Sequence, residues 1–261
     1  MRAAAKYKTG IVLWDNGIDQ FERTTHTWRD PVALSILLNA ANGTPNALPE
    51  STTDGTTPQT SSAYVFHRLN ASVQAATLGF ELNGNTLVSA SLGAKQLARG
   101  TEYAVSGKDV TFSAAFLSTL LPPGTAPGPV GTITLGFSAG AALAVQVVQY
   151  GTPVLGATSS KVPATSADIL IPVAWAGVPR VAAVRAVTVD GAILVDDWTQ
   201  WLPELQRGRL TYSNHWDWEA THVILKAGVV DAVKAVGKSV VFTFEFWPRE
   251  AGNVANYTLT V

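Results

Sequence analysis

From Tyr64 onward the sequence is a succession of short runs in which apolar and polar residues alternate, cut by Gly-, Pro- and Asn-rich turns. Alternation with period two places every second side chain on one face of an extended strand, so each run buries one face and wets the other. Many short half-buried strands with turn chemistry between them pack as β-sandwiches.

Between residues 64 and 150, Leu78, Phe80 and Leu82 share one face ahead of Asn83-Gly84-Asn85, a hairpin signal. Further strands fit 103–105, 110–112, 133–137 and 143–148, spaced by turns such as Pro122-Pro123-Gly124. The same logic recurs over 151–261, with strands expected at 169–173, 183–189, 192–195, 223–225, 240–246 and 257–261. A short helix fits 227–236, where the apolar spacing turns helical. Phe242, Phe244 and Phe246 share the core face of one strand, which sends Glu245 and Trp247 outward.

The chain ahead of Tyr64 reads differently. Residues 1–43 suggest helix, strand, loop and helix: 11–14 is a short buried-strand run, and Asp30, Pro31 and Gly43 sit where the N-cap, first position and C-terminal stop of a helix belong. Residues 44–63 are largely Thr, Ser, Pro, Gly, Asn and Asp, too polar to offset their ordering entropy, and read as a linker or a strap on a neighbouring surface.

Charged residues make up 14% of the 261, and 18 Lys and Arg against 19 Asp and Glu leave a net charge of -1. No field exists to hold a polyanion, which excludes nucleic acid and anionic membrane as main partners. Apolar stretches break well short of the ~20 residues of a membrane span. The absence of cysteine excludes disulfides, thiolate metal sites and a Cys nucleophile. His26, His67, His215 and His222 are scattered without metal-ligand spacing, and no nucleophile elbow, P-loop or dinucleotide fingerprint is present. The residues point to no metal, no cofactor and no catalytic group.

Tryptophan is the informative residue. Trp14 and Trp28 lie in the first zone, none lies in 64–150, and Trp175, Trp198, Trp201, Trp216, Trp218 and Trp247 follow. Indole faces stack on the flat C–H faces of sugar rings. In an extended segment Trp216 and Trp218 point the same way, with His215, Asp217 and Glu219 opposite. Their polar neighbours favour an exposed ligand platform over the alternative, core packing. Trp175 reads as core and Trp247 as a secondary platform. Trp198 and Trp201, three apart, fit one turn packed onto the sandwich, with Trp198 also a candidate sugar contact.

Several stretches carry a resemblance. Residues 8–17, KTGIVLWDNG, with Phe21-Glu22-Arg23 and Trp28-Arg29-Asp30-Pro31, resemble the last strand, loop and helix of a family 5 glycoside hydrolase barrel of the endo-β-1,4-glucanase kind. Residues 64–150, around LNGNTLVSASLGAKQLARGTEYAVSG, resemble the immunoglobulin-like module called carbohydrate-binding X-two. Residues 153–261, with DWTQWLPEL and HWDWEATHVIL, resemble a family 46 carbohydrate-binding module.

The resemblance implies a mainly β chain: two tandem immunoglobulin-like β-sandwiches over 64–150 and 151–261, behind a linker (44–63) and a short α/β remnant of a (β/α)8 barrel (1–43). It implies a non-catalytic, β-glucan-binding portion of a secreted, extracellular modular cellulase, acting on cellulose, xyloglucan or mixed-linkage glucan beside a catalytic barrel. Retaining glycosidases use two carboxyl groups roughly 5–5.5 Å apart, and in the family both would lie upstream of Met1. Trp14 matches the family's aromatic platform under the sugar, and Trp216 and Trp218 its Trp-x-Trp pair. Two alternatives stand beside this: an active endoglucanase whose barrel is supplied by another chain, and a structural spacer pair.

Overall fold

Alternating strands pair only where their apolar faces meet a second sheet, and here they do so twice. The computed structural model of the chain describes residues 21–22, 24–32, 34–35, 46–51, 59, 61–195, 198–202 and 205–261. The fold is mainly β. In the first zone β1 (Phe21–Glu22) pairs antiparallel with β2 (Thr27–Trp28), turned through His26 at φ 55°. The helix expected at Asp30-Pro31 begins there, with the Leu34 N–H donating to Asp30 O at 3.2 Å. The strand expected at 11–14 lies outside the described residues, so no barrel strand is among them.

The middle sandwich comprises β3 (Leu48–Pro49), β4 (Tyr64–Arg68), β5 (Ala76–Glu81), β6 (Leu87–Leu92), β7 (Lys95–Gln96), β8 (Tyr103–Ser106), β9 (Asp109–Phe112), α1 (Ala114–Leu120), β10 (Gly128–Phe137) and β11 (Leu143–Tyr150). One sheet runs β4-β11-β10-β6-β7 and the other β3-β5-β9-β8. Phe80, Phe112, Ile133, Leu135, Val145 and Val147 are fully or almost fully buried between them.

Three features here go beyond the sequence reading. Of the two readings of 44–63, linker or strap on a neighbouring surface, the described residues fit the strap: Leu48 pairs with Glu81 and Pro49 with Phe80, so 48–49 is an edge strand, the place where a proline without an N–H is tolerated. Asn83 and Gly84 adopt positive φ, 49° and 86°, yet β5 and β6 do not form a hairpin; the turn carries the chain across to the opposite sheet. α1 replaces an unassigned stretch, started by the Ser113 side chain accepting from the Phe116 N–H at 3.2 Å and held down by buried Phe116 and Leu117.

The third sandwich comprises β12 (Val154–Leu155), β13 (Ser159–Lys161), β14 (Ile169–Ala174), β15 (Val181–Thr188), a 3-10 turn (Trp198–Trp201), β16 (Trp216–Trp218), β17 (His222–Leu225), α2 (Ala227–Val236), β18 (Val240–Phe246) and β19 (Val254–Thr260). Its sheets run β12-β14-β17-β16 and β13-β19-β18-β15. α2 crosses between them, burying Val229, Val230 and Val233 and ending at Gly237 in the left-handed region. Segment 192–195 makes only an isolated bridge, Val187 to Ile193. Phe242, Phe244 and Phe246 fill the core as their parity requires. In both sandwiches the first long-range partner of the last strand is parallel: β4 on β11 and β13 on β19.

The face of β18 opposite the phenylalanines is not open to solvent, which corrects the outward reading of Glu245 and Trp247. Glu245 is 8% exposed, covered by Arg209 and Arg249. Trp247 packs edge-on against Tyr64 and Phe66 of the middle sandwich, centroids 6.3 and 6.1 Å away, with the Arg180 guanidinium 5.7 Å over its ring. Around it Glu250 accepts from Arg68 at 2.8 Å and from the Tyr150 hydroxyl, and the Gln59 N–H donates to Arg249 O at 2.8 Å. The two sandwiches are joined by an aromatic contact sealed with an ion pair and with side-chain and backbone hydrogen bonds.

Candidate functional site

β16 is an edge strand, and its register decides what its tryptophans do. Trp216 pairs with Leu225 and Trp218 with Val223, both core residues of β17, so both indoles face the inner side of the sheet. They share a side, as period two demands, but that side is the core. Trp216 is 4% exposed, and its indole N–H donates to Leu210 O at 2.9 Å. This corrects the expectation of two exposed indoles, because the partners in β17, Leu225 and Val223, are core residues and set the face. Trp218 lies at the rim and is half-buried.

Tyr212 completes the group. It bridges to Trp216 just outside β16, after which Ser213 takes φ 68° to turn the chain into the strand. The three rings form a triangle: Tyr212 to Trp216 5.2 Å, Tyr212 to Trp218 5.1 Å, and Trp216 to Trp218 5.9 Å with planes 29° apart. Tyr212, 51% exposed, is the outermost ring. Asp217 points the other way, accepts from the Trp218 N–H at 2.9 Å, and lies 3.7 Å from Lys226. Partial burial pushes the Tyr212 hydroxyl above the usual phenol range, and the Asp217 carboxylate beside it adds to the rise.

A groove of about 330 Å³ opens beside this triangle, lined among others by Leu202, Leu205, Arg209, Tyr212, Trp216 and Arg249. The 3-10 turn, whose Thr199 lines the groove, also carries Trp201, 81% exposed. That corrects the packed reading of Trp201 and makes it the most exposed of the large apolar side chains described. An unburied indole of this size marks a contact surface. The Trp198 side chain and the whole of Trp14 lie outside the described residues. Trp175 is half-buried edge-on against Phe246 at 5.9 Å, its N–H donating to Ala220 O at 2.9 Å. Trp247 is taken up by the junction.

Tyr212 and Trp201 are the site residues that sequence reasoning missed. The signal for Tyr212 was its position four residues before Trp216 across Ser213-Asn214, a turn pair. Among the described residues no group of three His, Asp or Glu comes together as a metal site, and no helix is long and apolar enough to cross a membrane.

Comparison with known proteins gives this geometry a setting. Residues 59–147 match the family described as carbohydrate binding domain X2. Endoglucanase B of Paenibacillus lautus is 28% identical over 249 residues, which are 95% of this chain and 39% of that protein. A tri-modular GH5 (subfamily 4) endo-β-1,4-glucanase from Bacillus licheniformis, solved with cellotetraose, superposes with a TM-score of 0.77 at 30% identity, covering 99% of this chain and 47% of that one. The full-length tri-modular endo-β-1,4-glucanase B of Bacillus halodurans shares the fold, with a TM-score of 0.71 at 23% identity over 99% of this chain and 45% of its own. The chain thus spans less than half the length of these relatives.

Proposed function

We propose that the chain is the non-catalytic, β-glucan-binding portion of a modular, extracellular cellulase, and that it assists endo-β-1,4-glucan hydrolysis by an associated family 5 barrel. In this reading both sandwiches are immunoglobulin-like, residues 59–147 are the X2 module and residues 151–261 a family 46-like binding module. The observation that carries it is the pairing of a carbohydrate-binding family in the middle of the chain with exposed rings on the third sandwich. Tyr212 and the rim of Trp218 form one contact, and the exposed Trp201 on the neighbouring 3-10 turn a second. Trp216 serves as the buried wedge that holds the other two rings. A pyranose presents flat C–H faces to rings so placed, and its hydroxyls remain free for water or for the groove's polar lining. Cellulose, xyloglucan and mixed-linkage glucan all offer such faces.

For the middle sandwich a second reading, that of a structural spacer, has its own support. It has no tryptophan, and its link to the third sandwich is a packed junction. It would orient the binding module rather than bind. The reading that an active enzyme forms with a barrel from another chain is tested by adding such a barrel and measuring reducing-sugar release.

Affinity electrophoresis on soluble β-glucans tests the main reading. Retardation of the wild-type chain, reduced by Tyr212→Ala and by Trp201→Ala with unchanged thermal melts, is the expected result. Equal mobility of all three in gels with and without glucan would refute it.

A further inference from the structure

The groove beside the ring triangle is not built by the third sandwich alone. Of the described residues that line it, Gln59 comes from the stretch between β3 and β4 of the middle sandwich, and the rest lie between Ala182 and Arg249. Backbone hydrogen bonds explain how it gets there. The Glu50 N–H donates to Gly79 O at 3.0 Å and the Ser62 N–H to Glu50 O at 2.7 Å, while Ser62 Oγ accepts from the Gly79 N–H at 3.1 Å. Ser51 bridges Ser61, so both ends of the strap that carries Gln59 are fixed on β5 of the middle sandwich. Three residues before Ser62 the strap touches the third sandwich: Gln59 bridges Arg249 and donates its backbone N–H to Arg249 O at 2.8 Å.

That bond uses the main chain and leaves the side chain over. Gln59 is half-buried, and its amide makes no hydrogen bond among the described residues. A primary amide carries two N–H donors and an acceptor oxygen, the complement of neighbouring sugar hydroxyls, each of which both donates and accepts. Sugar-sized sites are mostly apolar walls with a few placed polar groups that fix the ligand's orientation. We infer that Gln59 is a glucan-contacting residue: the strap of the middle sandwich completes the groove of the third, its amide bonding ring hydroxyls while Tyr212 offers a ring to the C–H face. The inference rests on the reading of this groove as a β-glucan site and names the group in it that reads hydroxyls. The amide is neutral, as the glucan is, and its bonds replace bonds to water, so its effect on affinity is modest. It also gives the middle sandwich a part in binding besides holding the third in place. Residues 59–147 are the stretch that matches the X2 family, so the contributed residue stands at the leading end of that module.

Affinity electrophoresis of the full chain on soluble mixed-linkage glucan, beside thermal melts, tests the assignment. Gln59→Ala keeps the backbone N–H that meets Arg249 O and removes only the amide. It should weaken binding about three- to tenfold, the worth of one net hydrogen bond, with an unchanged melt. Gln59→Met, which keeps the length of the side chain without its amide, should lose as much. If Gln59→Ala melts lower than the wild type, Gln59→Met decides. Wild-type binding by Gln59→Met shows that only packing matters there and overturns the inference, and so does wild-type binding by Gln59→Ala. Loss of retention in Tyr212→Ala with both Gln59 variants unaffected would remove Gln59 from the site and leave the proposed function standing. Equal mobility of the wild-type chain with and without glucan would refute that function, and this inference with it.

Discussion

The middle and third sandwiches share their strand logic and their parallel closing pair, yet they treat their edges in opposite ways. The middle one buries phenylalanine and aliphatic side chains and has no tryptophan; a groove of about 420 Å³ on it is lined by Leu69, Asn70, Pro122, Pro123 and His67, with no aromatic carbon face apart from the imidazole. The third keeps rings at the edge strand β16 and on the 3-10 turn, and lines the groove beside Tyr212 and Trp216 with Arg209 and Arg249, both paired with Glu245. Two sandwiches of similar build therefore differ not in how they are held together but in what their edges display. In the proposed reading, binding capacity is grafted onto the fold and is not a property of it.

The largest effects should come from the two cores, which the comparison treats as equivalent. Trp216→Ala in the third sandwich and Phe112→Ala in the middle one should each cost about 3–5 kcal/mol, the range for emptying a large buried aromatic site. Urea melts read both. A Trp216→Ala protein as stable as the wild type would return that indole to the surface and break the comparison.

Next comes the junction. Trp247→Ala removes the half-buried indole between the sandwiches and should cost about 2–3 kcal/mol, below the full-burial range. More tellingly, one calorimetric transition should become two, one for each sandwich. A single unchanged transition would mean that coupling runs through Glu250 and the backbone contacts alone.

Smaller still, and confined to the third sandwich, are the surface rings. Trp201→Ala should leave stability within about 0.5 kcal/mol, as surface changes do. It should weaken β-glucan binding about tenfold, within the roughly 1–3 kcal/mol that a stacked ring contributes in comparable ligand platforms. Exposed Leu-sized or larger residues of the middle sandwich, such as Leu69, serve as the control; Leu69→Ala should change binding little.

The smallest effects are the responses to pH, and the two sandwiches should differ in sign. Tyr212 has its folded pKa raised, so what its neutral hydroxyl contributes is present below the ordinary phenol value of about 10 and lost as pH climbs past the folded value. Glu102 of the middle sandwich has its pKa lowered, first by the hydrogen bond from Lys95 and then by the Ala98 N–H. Its contribution is present above the ordinary carboxylate value and lost as pH falls through the folded one. Thermal melts of Tyr212→Phe and Glu102→Gln across pH should therefore deviate from wild type at opposite ends. Deviation of both at the same end would show that one assignment is wrong.

Most of the strands were legible because period two and turn residues are local signals: 240–246, 169–173 and 143–148 lie where the alternation places them, and 227–236 is helical where the spacing changes. What was not legible depends on which strands and side chains pair in three dimensions. Asn83-Gly84 has the chemistry of a hairpin turn, but the same residues also serve a crossover between sheets, and only the pairing of β5 with β9 and of β6 with β10 distinguishes the two. The parity of Trp216 and Trp218 was readable, whereas the face they occupy was fixed by Leu225 and Val223. Glu245 looked exposed because its strand parity sends it outward, and only the folded chain brings Arg209, 36 residues earlier, together with Arg249 over it. Polar neighbours in sequence were a poor guide to exposure, since Ser213, Asn214 and Glu219 flank a strand whose first residue, Trp216, is buried.

The parallel closing pair has a mechanical consequence. β4 lies alongside β11 from Tyr64 beside Gln146 to Arg68 beside Tyr150, and β13 lies alongside β19 from Ser159 beside Thr258 to Lys161 beside Thr260. Parallel neighbours put the start of β4 and the end of β11, and likewise the start of β13 and the end of β19, at opposite poles. A pull on the two ends then runs along the strands and loads all the ladder hydrogen bonds at once, in shear, instead of peeling them one by one. The five-residue pair of the middle sandwich should bear more tension before yielding than the three-residue pair of the third, an order that single-molecule stretching reads as two separate rupture forces.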